Sequence, residues 1–322
     1  VEPYVPSMDW GAEFIPSMVW IVRAWAIAAV ATLIVLFLLA RFTIWGRQYW
    51  RVTGDYFKGR ESVKVWIWLA VLLFSVMISV RINVLLSFFS NDLYTSLQVA
   101  FQAGSAGETQ MRDDAVHGFW VALGIFGILA TIYITQVMVD IYLTQRFIIR
   151  WRTWLTYRLT GDWLGNHAYY RNRFTDSHTD NPDQRIQQDV DVFTTGVGAS
   201  PNTPTIGTGS ILLFGAISSV CTVVAFIPIL WGLSGPVTLF GITLERALFW
   251  VAFIYVFLAT VVAFWIGRPL IRLSFRNELT NAAFRYALVR LRDAAEAVGF
   301  YRGENTERGL LKTRYDNIIT NY

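Results

Sequence analysis

Five long apolar runs constrain this 322-residue chain more than anything else in it: Val19–Ala40, Val63–Leu86, Gly118–Tyr142, Ile211–Leu233 and Ala247–Ile266. A bilayer core is crossed by about 20 residues of helix, and inside it every peptide group must find its hydrogen-bond partner within the protein. Each run is therefore expected to be a membrane-spanning helix. Composition agrees, since 16% of residues are charged where soluble domains carry about 25%. Trp20, Trp66, Trp120, Trp231 and Trp250 sit near span ends, as an interfacial aromatic belt requires.

Charge between the spans sets an expected orientation. Arg41, Arg47, Arg51, Lys58, Arg60 and Lys64 follow the first span. Arg146, Arg150, Arg152 and Arg158 follow the third, and Arg268, Arg272 and Arg276 the fifth. Glu2, Asp9 and Glu13 precede the first span, while Asp92, Glu108, Asp113 and Asp114 lie between the second and third. The positive-inside rule then predicts an outer N-terminus and an inner C-terminus. The net charge of +4 reads as a topology signal, so no nucleic-acid partner is expected. The sole cysteine, Cys221, excludes an internal disulfide framework. His117, His167 and His178 lack metal-ligand spacing, and no metal site is expected. The start, VEPYVPSMDWGAEF, is acidic where a signal peptide would be basic.

The inner segments are long and helical in pattern. Arg146–Trp163 has no proline, and Phe284, Leu288, Leu291, Ala295 and Val298 form a heptad-like stripe. Those features predict paired helices projecting well beyond the bilayer, and the stripe is expected to need bundle partners outside this chain. AGSAGETQ at Ala103–Gln110 reads as a mobile outer loop. Between the third and fourth spans lies NPDQRIQQDV, Asn181–Val190. Asn181 suits an N-cap, Pro182 the first helical position, Asp183 the positive end of the helix dipole, and Gln184 completes a capping-box variant. A short, sharply started helix is expected there, with Asp189 and Asp191 near its far end. It is either a surface connector or an element presented to a partner.

Polar groups within spans are costly and generally face a bundle interior or an aqueous cavity. Tyr133, Gln136 and Asp140 share one helical face, and Arg81 and Asn83 lie toward the outer end of the second span. They are candidates for lining a cavity for hydrophilic cargo; interhelical contacts for Asp140 and snorkelling for Arg81 are the plainer readings. Pro228 is a candidate kink in the fourth span. No G-x-x-x-x-G-K-[ST], H-E-x-x-H or G-x-S-x-G motif occurs, so no catalytic residue is assigned.

TQRFIIRWRTWLTYRLTGDWLGNHAYY, NPDQRIQQDVDVF and RLRDAAEAVGFYRGE together resemble the transmembrane half of ABC transporters of the SbmA/BacA-like and peroxisomal (ABCD) group. In the last segment Glu296, Ala297, Tyr301 and Gly303 match the EAA-like motif of that group. The resemblance implies an all-α, exporter-like (type IV) transmembrane domain with long cytoplasmic extensions. Residues 1–18 would be an outer segment, 19–62 an additional helix and linker, and 63–322 the first four of six core helices. A longer polypeptide would then supply the last two core helices and a nucleotide-binding domain using ATP and magnesium. The resemblance further implies that Asn181, Pro182, Asp183, Gln184, Asp189, Glu296, Tyr301 and Gly303 belong to coupling regions. Its implied partners are a second identical half-transporter, that nucleotide-binding domain, the lipid of a bacterial inner membrane and a hydrophilic substrate. Uptake of bulky compounds such as cobalamin or antimicrobial peptides is the leading expectation. A proton-coupled SbmA-like transporter with Asp140 as protonation site, and a non-transporting scaffold, are the alternatives.

Overall fold

The computed structural model describes residues 3–59, 62–171, 174, 182, 185–195, 211–239 and 242–321. The chain divides into two compact units, Val1–Ile229 and Leu230–Tyr322. Among the described residues, five helices are long and apolar enough to cross a membrane. Each contains one of the runs read from sequence, so the architecture is that of an all-α membrane domain.

In the first unit, helix α1 (Phe14–Phe42) is followed by α2 (Ile44–Thr53) and a 3-10 turn, Gly54–Phe57. Helices α3 (Ser62–Ala106) and α4 (Thr109–Leu164) form an antiparallel hairpin. At ~1.5 Å per residue they are roughly 65 and 85 Å long, two to three times the thickness of a bilayer core. The apolar runs mark only part of each helix, because beyond the membrane water tolerates polar residues without ending a helix.

Two expectations are corrected here. Asp92 lies inside α3 and is only 1% exposed, not in an outer loop. AGSAGETQ is a tight reversal between α3 and α4 and not a loop. Gly107 takes a left-handed φ of 75°, its N–H bonds Gly104 O, and the Glu108 N–H reaches back to Ala103 O at 3.0 Å. This is a Schellman closure, which satisfies the last carbonyls of α3 and turns the chain at once.

The core of this unit forms where α1, α3 and α4 meet. Ile21, Leu72, Val76, Met77, Phe147, Ile148 and Trp151 are buried together, with Ile211 and Phe214 from the start of the fourth spanning helix. Beyond the turn Gly165–His167 come α5 (Ala168–Arg171), a π-helical turn Arg185–Asp189 and α6 (Val190–Thr195). Helix α7 spans Leu212–Leu233 and carries Pro228.

In the second unit, Val237–Leu239 and Ile242–Leu244 pair as a small antiparallel hairpin, β1–β2, that the helical reading did not anticipate. Helix α8 (Ala247–Asp293) carries Pro269 internally. The chain then breaks into α9 (Ala295–Phe300) and reverses into α10 (Glu304–Asn321), which packs along α8. Arg290 holds Glu307 through both carboxylate oxygens, at 3.0 and 2.7 Å. Phe284 meets Tyr315, and Asn321 Nδ2 donates to Leu273 O. The stripe of Phe284, Leu291 and Val298 therefore has a partner within this chain, contrary to expectation. It lines a groove of about 470 Å³ against Leu311 and Tyr315 of α10.

Candidate functional site

Each unit carries an aromatic turn with left-handed backbone shortly beyond a long helix. Helix α4 stops at Gly165, after which Asn166 and His167 both adopt left-handed φ, 50° and 56°. Such φ costs a non-glycine residue on the order of 1–2 kcal/mol, and strain of this kind gathers at functional positions. The reversal exposes Leu164, Tyr169 and Tyr170. At the end of the short helix α9, beyond the break that ends α8 at Asp293, a similar turn occurs. The Gly303 N–H bonds Val298 O and the Arg302 N–H bonds Gly299 O, a second Schellman closure. Its left-handed residue is Arg302, with φ 53°, where glycine would be free of strain. Phe300 and Tyr301 stand 82% and 81% exposed on this tip. Two adjacent rings this exposed make the tip a candidate contact surface.

The sequence-derived coupling residues divide around these tips. Glu296 lies in the first turn of α9, Tyr301 caps it and Gly303 leads into α10. Pro182 is half-buried, whereas Asn181, Asp183 and Gln184 lie outside the described residues. Asp189 is exposed at the end of the π-turn. Asp191 follows the π-turn directly, in α6. It is buried and paired with Arg152 of α4 at 2.6 Å, while Phe193 packs on Trp151 and on Tyr49 of α2. The described part of this segment is thus fastened to the shaft of α4, about twelve residues short of its end. Among the described residues, Tyr169 and Tyr170 lie exposed beyond that end; they were not among the expected site residues, although two adjacent tyrosines after a Gly-Asn pair were a visible signal.

The candidate cavity residues do not form one cluster. Ser75 Oγ donates to Asp140 Oδ1 at 2.6 Å, and Gln136 Nε2 donates to Ser75 Oγ at 3.2 Å. These three groups form a half-buried polar patch between α3 and α4. Gln136 Oε1 is buried with no hydrogen-bond donor among the described residues. Tyr133 is exposed, about one turn before Gln136 on the same helix. Arg81 is engaged elsewhere, paired with Glu13, bonded to Ser17 Oγ at 3.0 Å and stacked over Trp20. Asn83 is exposed and bonds its own helix at Ser79 O.

A further anchored site was not foreseen. The Asp92 carboxylate accepts from Ser7 N and Trp10 Nε1, each at 2.8 Å, and from Ser7 Oγ. These bonds strap residues 4–10 across the ends of α3 and α4. Tyr4 lies where a Cβ at Gly118 would otherwise be. Burial and then the Asp92 charge raise the Tyr4 phenol above its ordinary value. In line with Glu13–Arg81 and Trp25 Nε1–Ala70 O (3.0 Å), the contact sets α1 antiparallel to α3.

Five helices long and apolar enough to cross a membrane, three of them continuing well past their apolar runs, define a multi-span helical membrane domain. The chain belongs to the family described as ABC transporter transmembrane region 2, whose match covers residues 52–322. It is 35% identical over 314 residues to an uncharacterized ABC transporter ATP-binding protein of Haemophilus influenzae, covering 98% of this chain and 49% of that protein. It is 25% identical to the chloroplastic ABC transporter D family member 2 of Arabidopsis thaliana, covering 87% and 34% of the two chains. With the human lysosomal cobalamin transporter ABCD4 it shares 26% identity over 56% of this chain and 26% of the transporter. The chain spans about half the length of the first two relatives it matches.

Proposed function

We propose that this chain is the membrane part of an SbmA/BacA-like, ATP-driven half-transporter that pairs with a second copy. In this reading it carries bulky hydrophilic compounds of the cobalamin or peptide kind into the cytoplasm of a bacterium. The observation that carries the reading is the pair of strained tips with exposed Tyr169, Tyr170, Phe300 and Tyr301. By the positive-inside rule, the arginines of each long extension favour a cytoplasmic position for its tip, where a nucleotide-binding domain would meet it. Relatives named as ATP-binding proteins support that partner, and the name of ABCD4 supports a cobalamin-sized cargo.

ATP with its magnesium would supply the driving closure in a nucleotide-binding domain outside residues 1–322. Residues here would receive it. A tip seated by rigid aromatic rings would pass displacement to a helix; α4 is unbroken for 56 residues, and α8, joined to its tip through the short α9, for 47. In α8 the missing N–H of Pro269 weakens one rung of the ladder and offers a point of bending. Asp191–Arg152 keeps α6 moving with α4. Residues 63–322 then serve as the first four core helices and α1 as an additional one.

The test uses the complete polypeptide with its nucleotide-binding domain in proteoliposomes. Phe300→Ala with Tyr301→Ala should lower ATP-driven cobalamin accumulation at least tenfold while leaving the protein folded and dimeric. Wild-type accumulation in that variant would refute the coupling role. The Ser75–Gln136–Asp140 patch supports a second reading, proton-coupled transport through Asp140. In that case Asp140→Asn abolishes uptake driven by a pH gradient without ATP.

A further inference from the structure

Helix α2 has no counterpart in the transport reading, yet its geometry is specific. Thr43 breaks α1 with extended backbone, φ −105° and ψ 148°. Its Oγ1 donates to Leu39 O at 2.6 Å and accepts the Gly46 N–H at 3.1 Å, so one side chain ends α1 and caps α2. A Cβ at Gly46 would collide with the Leu39 carbonyl. Only glycine lets α2 cross so close to the last turn of α1. The corner lies where the apolar run ends at Ala40, at the depth of lipid headgroups if the run fills the hydrocarbon core.

At 100° per residue the ten residues of α2 sort into faces. Gly46 and Thr53 are buried on one side. Ile44 lies on the opposite side, and Trp45 and Val52 lie about 90–110° round from the buried side along one flank; all three are exposed, Ile44 and Trp45 at 69% and 60%. Arg47 and Arg51 lie one turn apart along the other flank, bordering Ile44, with Arg41 just across the corner. Arg47 Nη1 bonds the Arg41 carbonyl at 3.2 Å, which fixes the guanidinium beside the end of α1. Among the described residues no carboxylate pairs with Arg41, Arg47 or Arg51. An exposed apolar strip edged by unpaired arginines, at the end of a spanning helix, is complementary to one surface: acyl chains under anionic headgroups.

We propose that α2 is a lipid-reading helix. Ile44, Trp45 and Val52 enter the acyl boundary, and Arg41, Arg47 and Arg51 hold the phosphates of anionic phospholipids in the leaflet at that end. The occupant is the headgroup in its bilayer and not free phosphate, because the strip and the cations are used together.

Native mass spectrometry of the complete chain, released from nanodiscs and titrated with phosphatidylglycerol, tests this. Each arginine near an anionic surface contributes roughly a fivefold change in affinity. Arg41→Gln, Arg47→Gln and Arg51→Gln combined should weaken phosphatidylglycerol retention at least tenfold. The three lysine replacements should keep it within threefold, which separates lost charge from lost fold. Trp45→Ala should weaken retention with all charges present, phosphatidylcholine should not be retained, and excess inorganic phosphate should not displace the bound lipid. Unchanged retention in the triple glutamine variant would overturn the proposal and leave α2 to an acidic protein partner. So would an equal loss on removing Arg285, Arg308 and Arg314 instead, or displacement by phosphate.

Discussion

Replacing Asp92 by asparagine isolates the strap that crosses α3 and α4. The carboxylate is 1% exposed and accepts three hydrogen bonds, all from residues 7 and 10. Hydrogen bonds to a charged group are worth about 1.5–3 kcal/mol each. Asparagine can keep Oδ1 toward Ser7, at the strength of a neutral acceptor, but sets an amide NH2 against the Trp10 Nε1–H. One charge-assisted bond is lost and two are weakened. The cost is bounded, because the strap can lift into water and satisfy its own donors there. We expect roughly 2–3 kcal/mol, which makes local opening about 30- to 150-fold more frequent. Hydrogen–deuterium exchange of the nanodisc-embedded protein reads this at the Ser7 amide, within a peptide covering residues 4–11. The α3–α4 core should keep its protection, since its contacts at Leu85, Phe89, Ala122 and Leu129 are apolar. Ser7 protection within threefold of wild type would refute the reasoning, as would a loss spread evenly along both helices.

Arg302→Gly should raise thermal stability by about 1 kcal/mol, because the left-handed φ at this position favours glycine; a lower Tm would contradict the strain argument. Asp191→Asn should free α6 from α4, at about 1–2 kcal/mol given the half-exposed Arg152 partner, and appear as faster proteolysis around residues 190–195. Arg81→Met and Glu13→Leu should each destabilise by about 2–3 kcal/mol, whereas the double variant recovers more than half, because each single change strands a half-buried charge. Asp92→Asn should also move the Tyr4 phenol back toward its ordinary value of 10.0, read by NMR of ring-labelled tyrosine with Tyr4→Phe for assignment. With the folded-state value raised, the Tyr4 contribution to stability is complete below about pH 10 and is lost as pH rises through the raised value.

Much of the membrane architecture was legible because one force dominates it. Apolar runs near twenty residues long have no folded alternative in a bilayer, and all five became helices. The continuation of α4 through Arg146–Trp163 was equally readable, since nothing in the segment breaks a helix. Where water takes over, the signal weakened. Ser87–Ala106 looked like loop because polar residues interrupt its apolar pattern, yet it is helix, buried at Asp92, Ser96 and Val99. The EAA-like segment was found as a motif, while the exposure of Phe300 and Tyr301 was not. Exposure depends on where α9 stops and α10 turns back.

The sequence alone thus determined the number of long apolar helices, the pattern of charge between them and the transport family. These follow from hydropathy and local motif, which act over a few turns of helix. Only the tertiary structure decided which polar groups meet. Arg81 found Glu13 and Ser17 sixty-eight and sixty-four positions away, and Asp140 found Ser75 sixty-five positions away. Asp92 took its three donors from the N-terminal strap. A buried charge must be satisfied by something, and local sequence states that requirement without naming the partner. The partner is fixed by how antiparallel helices slide into register, which is a property of the packed chain.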